Sequence, residues 1–465
     1  MMKKTRYIIL FVLTAFIIAV RFNISVGEWY AIHLYPYIST VLSLLVSWIP
    51  FSMTEILVIG AVALMIYVLI RNIKLKERVW KIFIKEAEIV AWIMVWFYFG
   101  WGMNYFRESI YTRGDFKRQK FDEVIFKQFI NDYADSLNNS YISESVDMSV
   151  YENDIKQRYS SVPDHYGLTK AKNWQHPKKL LFNSLYTAVG VGGYIGPFFG
   201  ETHINADLFP QQKPSSYAHE LSHLLGVSNE DEACFWAYQI CINSDIPAVK
   251  YSGYYSLLPH VLSNASKVMT EDEYKEYVLS IRPEVRQQLV DQQNFWKSKY
   301  SRTLGRIQTV IYDSMLKANK IPSGTKNYAQ VIELIIAAEY KKTPLHIVER
   351  RLFWWEQRES NPRPSACKAD ALNQLSYAPV SFLFADYCVR LRIFSRSLPQ
   401  GNSLLQSLSS LFSTKININI FAVRTGLEPA TPGVTGRYSN QLNYRTNCSV
   451  FMRFCRTRMQ RYAFF

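Results

Sequence analysis

"YAHELSHLLGVSNEDEA", Tyr217 to Ala233, carries two histidines four residues apart with a glutamate directly after the first. Pro214 and Ser215 or Ser216 precede it and Gly226 interrupts it, so a helix of about ten residues is bounded at both ends. At about 100° per residue, Tyr217, Leu221, Leu224 and Leu225 form an apolar stripe, and His219 and His223 share the opposite face. Two imidazoles one turn apart have the separation that a tetrahedral zinc ion requires of ligands from a single helix. Glu220 lies beside them, placed to take a proton from an attacking water. A pair of surface or core-capping histidines has the same spacing, so the flanking sequence has to decide.

Downstream, a second helix is expected from Ser228 or Asn229. On it Glu230 shares a face with Ala233, Cys234, Ala237 and Cys241, all small enough to let the two helices approach closely. Glu232 falls with Phe235, Trp236 and Gln239, and can close a capping box with Asn229. Helix geometry therefore favours Glu230 as third ligand, with Glu232 as the alternative. Upstream, in "GETHINADLF", Thr202, Ile204, Ala206 and Leu208 alternate with Glu201, His203, Asn205 and Asp207, the period of a half-buried strand. Glu201, His203 and Asn205 would then edge a cleft in which an extended peptide could pair, although any solvent-facing strand reads alike. "AVGVGGYIGPFFG" (Ala188 to Gly200) lacks the lysine of a phosphate loop and reads as turn and strand-edge glycines. Beyond the second helix, Tyr251, Tyr254, Tyr255 and His260 are candidate donors to a tetrahedral oxyanion, with aromatic packing as the alternative role.

The first 106 residues contain three apolar stretches, expected as membrane helices over about 7–26, 51–70 and 89–106. Between the first two, "YISTVLSLLVSWIP" is short for a crossing and reads as an interfacial or re-entrant segment. Lys3, Lys4 and Arg6 precede the first span, and Arg71, Lys74, Lys76, Arg78, Lys81 and Lys85 follow the second, against Arg21 alone in the loop between. By the positive-inside tendency the leader and second loop are cytoplasmic, which puts the chain after Phe106 outside. No small-x-small cleavage site follows the first stretch, so it reads as an anchor and not as a removed signal. Cys234 and Cys241, seven residues apart on one helix, are too distant for a disulfide.

The net charge of +15 suggests an anionic partner such as nucleic acid until its distribution is examined. From Leu345 onward there are 16 basic and 6 acidic residues, so that stretch supplies +10 of the total. These charges are scattered and not clustered with aromatics on one face, so no nucleic-acid partner is expected. Within this tail, "RESNPRPSACKADALNQLSYAP" and "RTGLEPATPGVTGRYSNQLNYRT" are similar to each other. Both resemble peptides translated by mistake from the strand opposite a transfer RNA gene. Residues 344–465 are accordingly expected to have no selected fold.

Taken together, the apolar stretches, "GYIGPFFGETHIN", "HELSH" with "EDEACF", "KYSGYYSLL" and "KNYAQVIELIIAAEY" resemble a bacterial membrane family known as domain of unknown function 3810. The resemblance runs from about residue 5 to 343. It implies an α-helical membrane anchor of three transmembrane helices followed, over 107–343, by a mostly helical α+β zincin-like metallopeptidase domain outside the cytoplasmic membrane of a bacterium. "EDEAC" is also similar to the Glu-x-x-Ala-Asp element of membrane metalloproteases, which implies Glu230 as a ligand. This chain has Cys234 where that element has Asp. The expected function is zinc-dependent peptide hydrolysis at the bilayer, with one Zn²⁺ on His219, His223 and Glu230, Glu220 as base, and a peptide or protein as substrate. The alternative is a membrane-tethered scaffold or metal-binding module without turnover.

Overall fold

Long apolar runs near the N-terminus become helices because a helix satisfies its own backbone where water is absent. Among the described residues, three are long and apolar enough to cross a membrane: Lys4–Phe22 within α1 (Met2–Phe22), α2 (Ile24–Val46) and α3 (Met53–Lys74). The computed structural model describes residues 2–118, 121–321 and 330–340; the expectation for the tail from 344 onward lies outside the described residues. Asn23 separates α1 from α2 and caps the latter, its side chain accepting from the Val26 amide. Tyr30–Leu34 within α2 is wound as a π-helix.

The expected third span, 89–106, is not one helix. α4 (Val79–Gly100) starts ten residues earlier, carries Lys81, Lys85, Glu86 and Glu88 in its first half, and stops at Gly100. A Cβ at Gly100 would lie 2.9 Å from the Pro197 carbonyl oxygen, so the chain passes too close to its neighbour there for any other residue. Residues Gly102–Phe106 then form a 3₁₀ turn buried in the protein. The aromatic run that resembles an interfacial belt is thus partly internal packing. Meanwhile the segment read as interfacial is part of α2, one of the three long apolar helices.

α3 and α4 pack as a hairpin, and α1 packs on α4. At the end far from the turn at Gly102, Arg6 and Tyr7 meet Glu88 at 2.9 and 3.0 Å, and Lys85 meets Asn72 at 2.5 Å. These contacts gather the lysine- and arginine-rich ends of the bundle.

The amphipathic stretch at 121–159 forms α5 (Glu123–Ser140) and α6 (Met148–Ser160). Next come two four-residue strands, β1 (Gly193–Gly196) and β2 (Glu201–Ile204), antiparallel with Gly193 opposite Ile204 and Gly196 opposite Glu201. The remainder is helical: α7 (Lys213–Leu224), α8 (Glu230–Ile242), α9 (Pro247–Val268), α10 (Glu271–Ser280), α11 (Pro283–Lys299), α12 (Arg302–Ala318) and α13 (Val331–Tyr340). α7 packs on α8, α8 on α9, and α9 on α5. One hydrophobic core joins Tyr35, Trp101 and Phe106 of the N-terminal quarter to Leu221, Val227 and Tyr255.

Candidate metal centre

α7 begins at Lys213, with Pro214 in its first turn, where a missing N–H costs nothing. Ser215 does not cap it; its amide donates to the Ser252 hydroxyl at 3.0 Å. The helix ends at Leu224, and Gly226 turns the chain at φ +103°, a conformation that favours glycine. That turn returns the Val227 carbonyl to within 2.9 Å of His223 Nδ1. A carbonyl only accepts, so Nδ1 carries the proton and Nε2 keeps its lone pair. Two side chains from the N-terminal region hold the same turn: the Trp101 indole donates to the His223 carbonyl and the Tyr35 hydroxyl to that of Leu224, each at 2.8 Å.

α8 starts at Glu230, just after Asn229, as its sequence suggests, and the small residues Ala233, Ala237 and Cys241 are buried. The expected capping box is absent: Asn229 makes no side-chain cap. His219 Nε2 and His223 Nε2 are 3.1 Å apart, and Glu230 Oε2 lies 3.2 Å from the first and 3.4 Å from the second. Tetrahedral zinc bonds of about 2.0–2.1 Å space their donor atoms about 3.3 Å apart. The three separations therefore fit one ion, and the donor set, two neutral imidazole nitrogens and a carboxylate, is one that zinc accepts. Burial pushes His219 below its ordinary pKa and His223 adds to this, which favours the neutral ligand form. Burial opposes ionisation of Glu230, but His223 and His219 outweigh it and hold the carboxyl well below the usual range.

Glu220 is 2% exposed, and its Oε2 has no hydrogen-bond partner among the described residues. Burial, and then the charge of Glu230, push its pKa well above the ordinary value. It lies against β1: a Cβ at Gly193 would be 2.8 Å from Glu220 Cγ and 2.9 Å from Oε1. Cys234 occupies the position beside the first histidine, with Sγ 3.7 Å from His219 Nδ1. A thiol is a weak partner where a carboxylate or amide would hold the ring more firmly.

Glu232 points elsewhere. Both its oxygens accept from Arg113 Nη2 at 2.6 Å and Oε1 also accepts from the Trp236 indole, all in the interior. Nor do Glu201, His203 and Asn205 form a solvent-facing rim. The strand is four residues long and buried on both faces, because a second layer of polar partners covers the face expected to be wet. Glu201 accepts from the Met53 and Thr54 amides, from the Thr54 hydroxyl and from Lys178 Nζ, capping the start of α3. Asn205 donates to the Val191 carbonyl and the Thr187 hydroxyl. His203 stacks on Tyr194 at 4.2 Å, and its Nδ1 faces the Tyr194 carbonyl. The tyrosines after α8 are likewise engaged: Tyr251 with Gln288, Tyr255 with Gln292, and Tyr254 packed against Tyr133 and Tyr238, while His260 is buried on the same helix.

The tyrosine that does reach the cluster is Tyr312 of α12, whose hydroxyl donates to Glu230 Oε1 at 2.5 Å. It fixes the carboxylate with Oε2 toward the histidines. Sequence reasoning missed it because it lies 82 residues from Glu230. The available signal was the buried face of α12, Gly305, Gln308, Tyr312 and Leu316, a stripe containing polar groups. Arg113, Trp101 and Gly193 were missed for the same reason of distance.

The model of one protein family, described as Protein of unknown function (DUF3810), matches residues 30–336. No curated protein and no solved structure matches the chain.

Proposed function

This chain belongs to the DUF3810 family of proteins of unknown function, and from that premise we propose that it is a membrane-anchored, zinc-dependent metallopeptidase. The observation that carries the reading is Glu220. A metal site with only a structural role needs three converging ligands but no buried carboxylate with an uncommitted oxygen beside them. When bound, a zinc ion would supply Lewis acidity to a scissile carbonyl and to an attacking water.

The protein's own residues supply the rest. His219 and His223 present Nε2, His223 being locked in that tautomer by Val227, and Glu230 presents Oε2 under the grip of Tyr312. Glu220 takes the proton of the attacking water on Oε2 as the oxygen–carbon bond forms. As the carbon–nitrogen bond breaks, it passes that proton to the departing amine. A raised pKa suits a carboxyl that must hold the proton between these two steps. The gathered basic ends of α1, α3 and α4 support a position of this centre on the extracytoplasmic side of a bacterial cytoplasmic membrane.

Four substitutions test the reading in the full-length protein. His219→Ala, His223→Ala and Glu230→Ala should each strip zinc, measured by elemental analysis, because each removes one of three protein ligands. Glu220→Gln should keep zinc and lose peptide hydrolysis, since an amide cannot accept the proton. Equal zinc content in all four would eliminate the site. Zinc bound with no turnover in wild type and Glu220→Gln alike, across a peptide library, would leave a metal-binding module and no enzyme.

A further inference from the structure

α2 has two faces of different character. Toward the interior it presents Tyr30, Tyr35, Ser39 and Ser43, all buried. On the outside it presents Trp29, Tyr37, Val41, Leu44 and Leu45, and Trp48 follows just past its end, each more than half exposed. Its inner face joins the hydrophobic core through Tyr30 and Tyr35 and meets polar partners at intervals from one end to the other. Glu28 pairs with Arg107 at 2.7 Å, Tyr35 bonds the end of α7, Ser43 accepts from Gln175 at 3.1 Å, and the Val46 carbonyl accepts from Lys178 Nζ at 2.6 Å. At 1.5 Å per residue these contacts span about 27 Å, close to the thickness of a hydrocarbon core. If α2 crossed the bilayer, Arg107 and Lys178 would be held at opposite faces of the membrane, and the end of α7 at Leu224 and the Gln175 amide, bonded between them, would be drawn into the hydrocarbon at a large cost in desolvation. Exposed Ser25 and His33 interrupt the outer face only in the first half of α2, and a helix with a largely apolar outer face and an inner face bonded to polar groups of the protein lies in the membrane surface.

The metal-bearing helix rests directly on that support. The carbonyls of His223 and Leu224 are bonded by Trp101, the first residue after α4, and by Tyr35 of α2. We infer that α2 lies along the membrane surface as a single layer between lipid and the His219–His223 helix, and that the site accepts peptide bonds in the juxtamembrane segments of membrane-anchored polypeptides. One helix is about 10–12 Å thick and an extended chain advances about 3.3 Å per residue, so cleavage falls within roughly ten residues of the substrate's anchor. The substrate class rests on the peptidase reading above; the placement of α2 does not.

Two measurements on the full-length protein in phospholipid vesicles test this. The first uses the metal-free protein and a phospholipid bearing a diazirine at the glycerol end of its acyl chain, with adducts mapped by mass spectrometry. Adducts spread from Trp29 to Trp48 are expected; adducts at the two ends of α2 and none between would overturn the placement. The second uses the zinc-loaded protein and a peptide of repeating sequence, either free or fused to a transmembrane segment, with cut positions read by mass spectrometry. Cuts clustered within roughly ten residues of the anchor, at a rate about 10-fold or more above the free peptide, are expected. Cuts spread evenly along the repeat, with the free peptide cleaved equally well, would overturn the substrate class and leave the peptidase standing. No cut in either peptide by the zinc-loaded protein would overturn the peptidase reading, and the substrate class with it.

Discussion

At the scale of single residues, the two glutamates of the α8 start show how much a neighbour decides. Glu230 and Glu232 are both buried, but one faces two histidines and the other faces Arg113. Replacing Glu232 by Gln should cost about 3–5 kcal/mol of stability, because Arg113 keeps its charge in the interior with the Glu108 and Tyr166 carbonyls but no carboxylate to balance it. Changing both, Arg113→Met with Glu232→Leu, should recover most of that loss, and thermal unfolding in detergent reads the difference. A double variant no more stable than the single one would refute this account. His203 gives a pH prediction. Burial pushes its pKa from 6.5 down to about 4, with Glu201 favouring the proton and Lys178 opposing it. Below pH 6.5 the unfolded chain binds a proton that the folded chain refuses until about 4, so stability falls with pH across that window by up to about 3 kcal/mol. His203→Asn should be less stable at neutral pH but flatter between 6.5 and 4; parallel curves would exclude the imidazole as the cause. The convergence of His219, His223 and Glu230 was legible in sequence because they lie within eleven residues and helical spacing fixes their faces. The roles of His203, Glu232 and Tyr312 were not, because each depends on a partner that only the tertiary fold brings near.

At the scale of elements, the two helices of the site were readable, while the span at 89–106 and the strand at 201–208 were readable only in part. Pro214, Gly226 and Asn229 bound α7 and α8 almost where the sequence puts them. Alternation at 201–208 announced a strand, of which only Glu201–Ile204 forms, and alternation states only that two faces differ and not that one is wet. The polar face of β2 is met by Thr54 and Lys178, whose approach is set by the anchor. β1 has a requirement of its own. Gly193 has the His203 carbonyl and the Glu220 side chain both 2.8 Å from where a Cβ would stand, and neither strand nor helix can yield without moving the other. Gly193→Ala should therefore leave the zinc content intact and displace the base, lowering hydrolysis by 10-fold to roughly 100-fold. Unchanged turnover with unchanged zinc would show that the carboxylate position is not critical, while loss of zinc would show that β1 supports the ligands and not Glu220.

At the scale of the whole molecule, the boundary expected near Arg107 is not a boundary in the packing. Among the links that cross it are Glu28 with Arg107, Tyr35 with the Leu224 carbonyl, Trp101 with the His223 carbonyl, and the Met53 and Thr54 amides with Glu201. The sequence could not announce this, since apolar helices and a polar domain read as separate modules when composition alone separates them. A fragment of residues 107–343 would leave Arg107, 8% exposed in the intact protein, without its carboxylate. It would also free two carbonyls at the end of the metal helix and expose the core face that Tyr35, Trp101 and Phe106 cover. Losing the burial of even two or three large side chains removes about 1.5–3 kcal/mol each, against a total stability of about 5–15 kcal/mol for an ordinary domain. The fragment is therefore expected to lack a cooperative thermal transition and to bind zinc no better than an unfolded chain, whereas the full chain in detergent is expected to show both the transition and the metal. A sharp transition with stoichiometric zinc in the fragment would mean that the anchor merely tethers a self-sufficient domain; its absence would mean that the membrane helices form one wall of the metal centre.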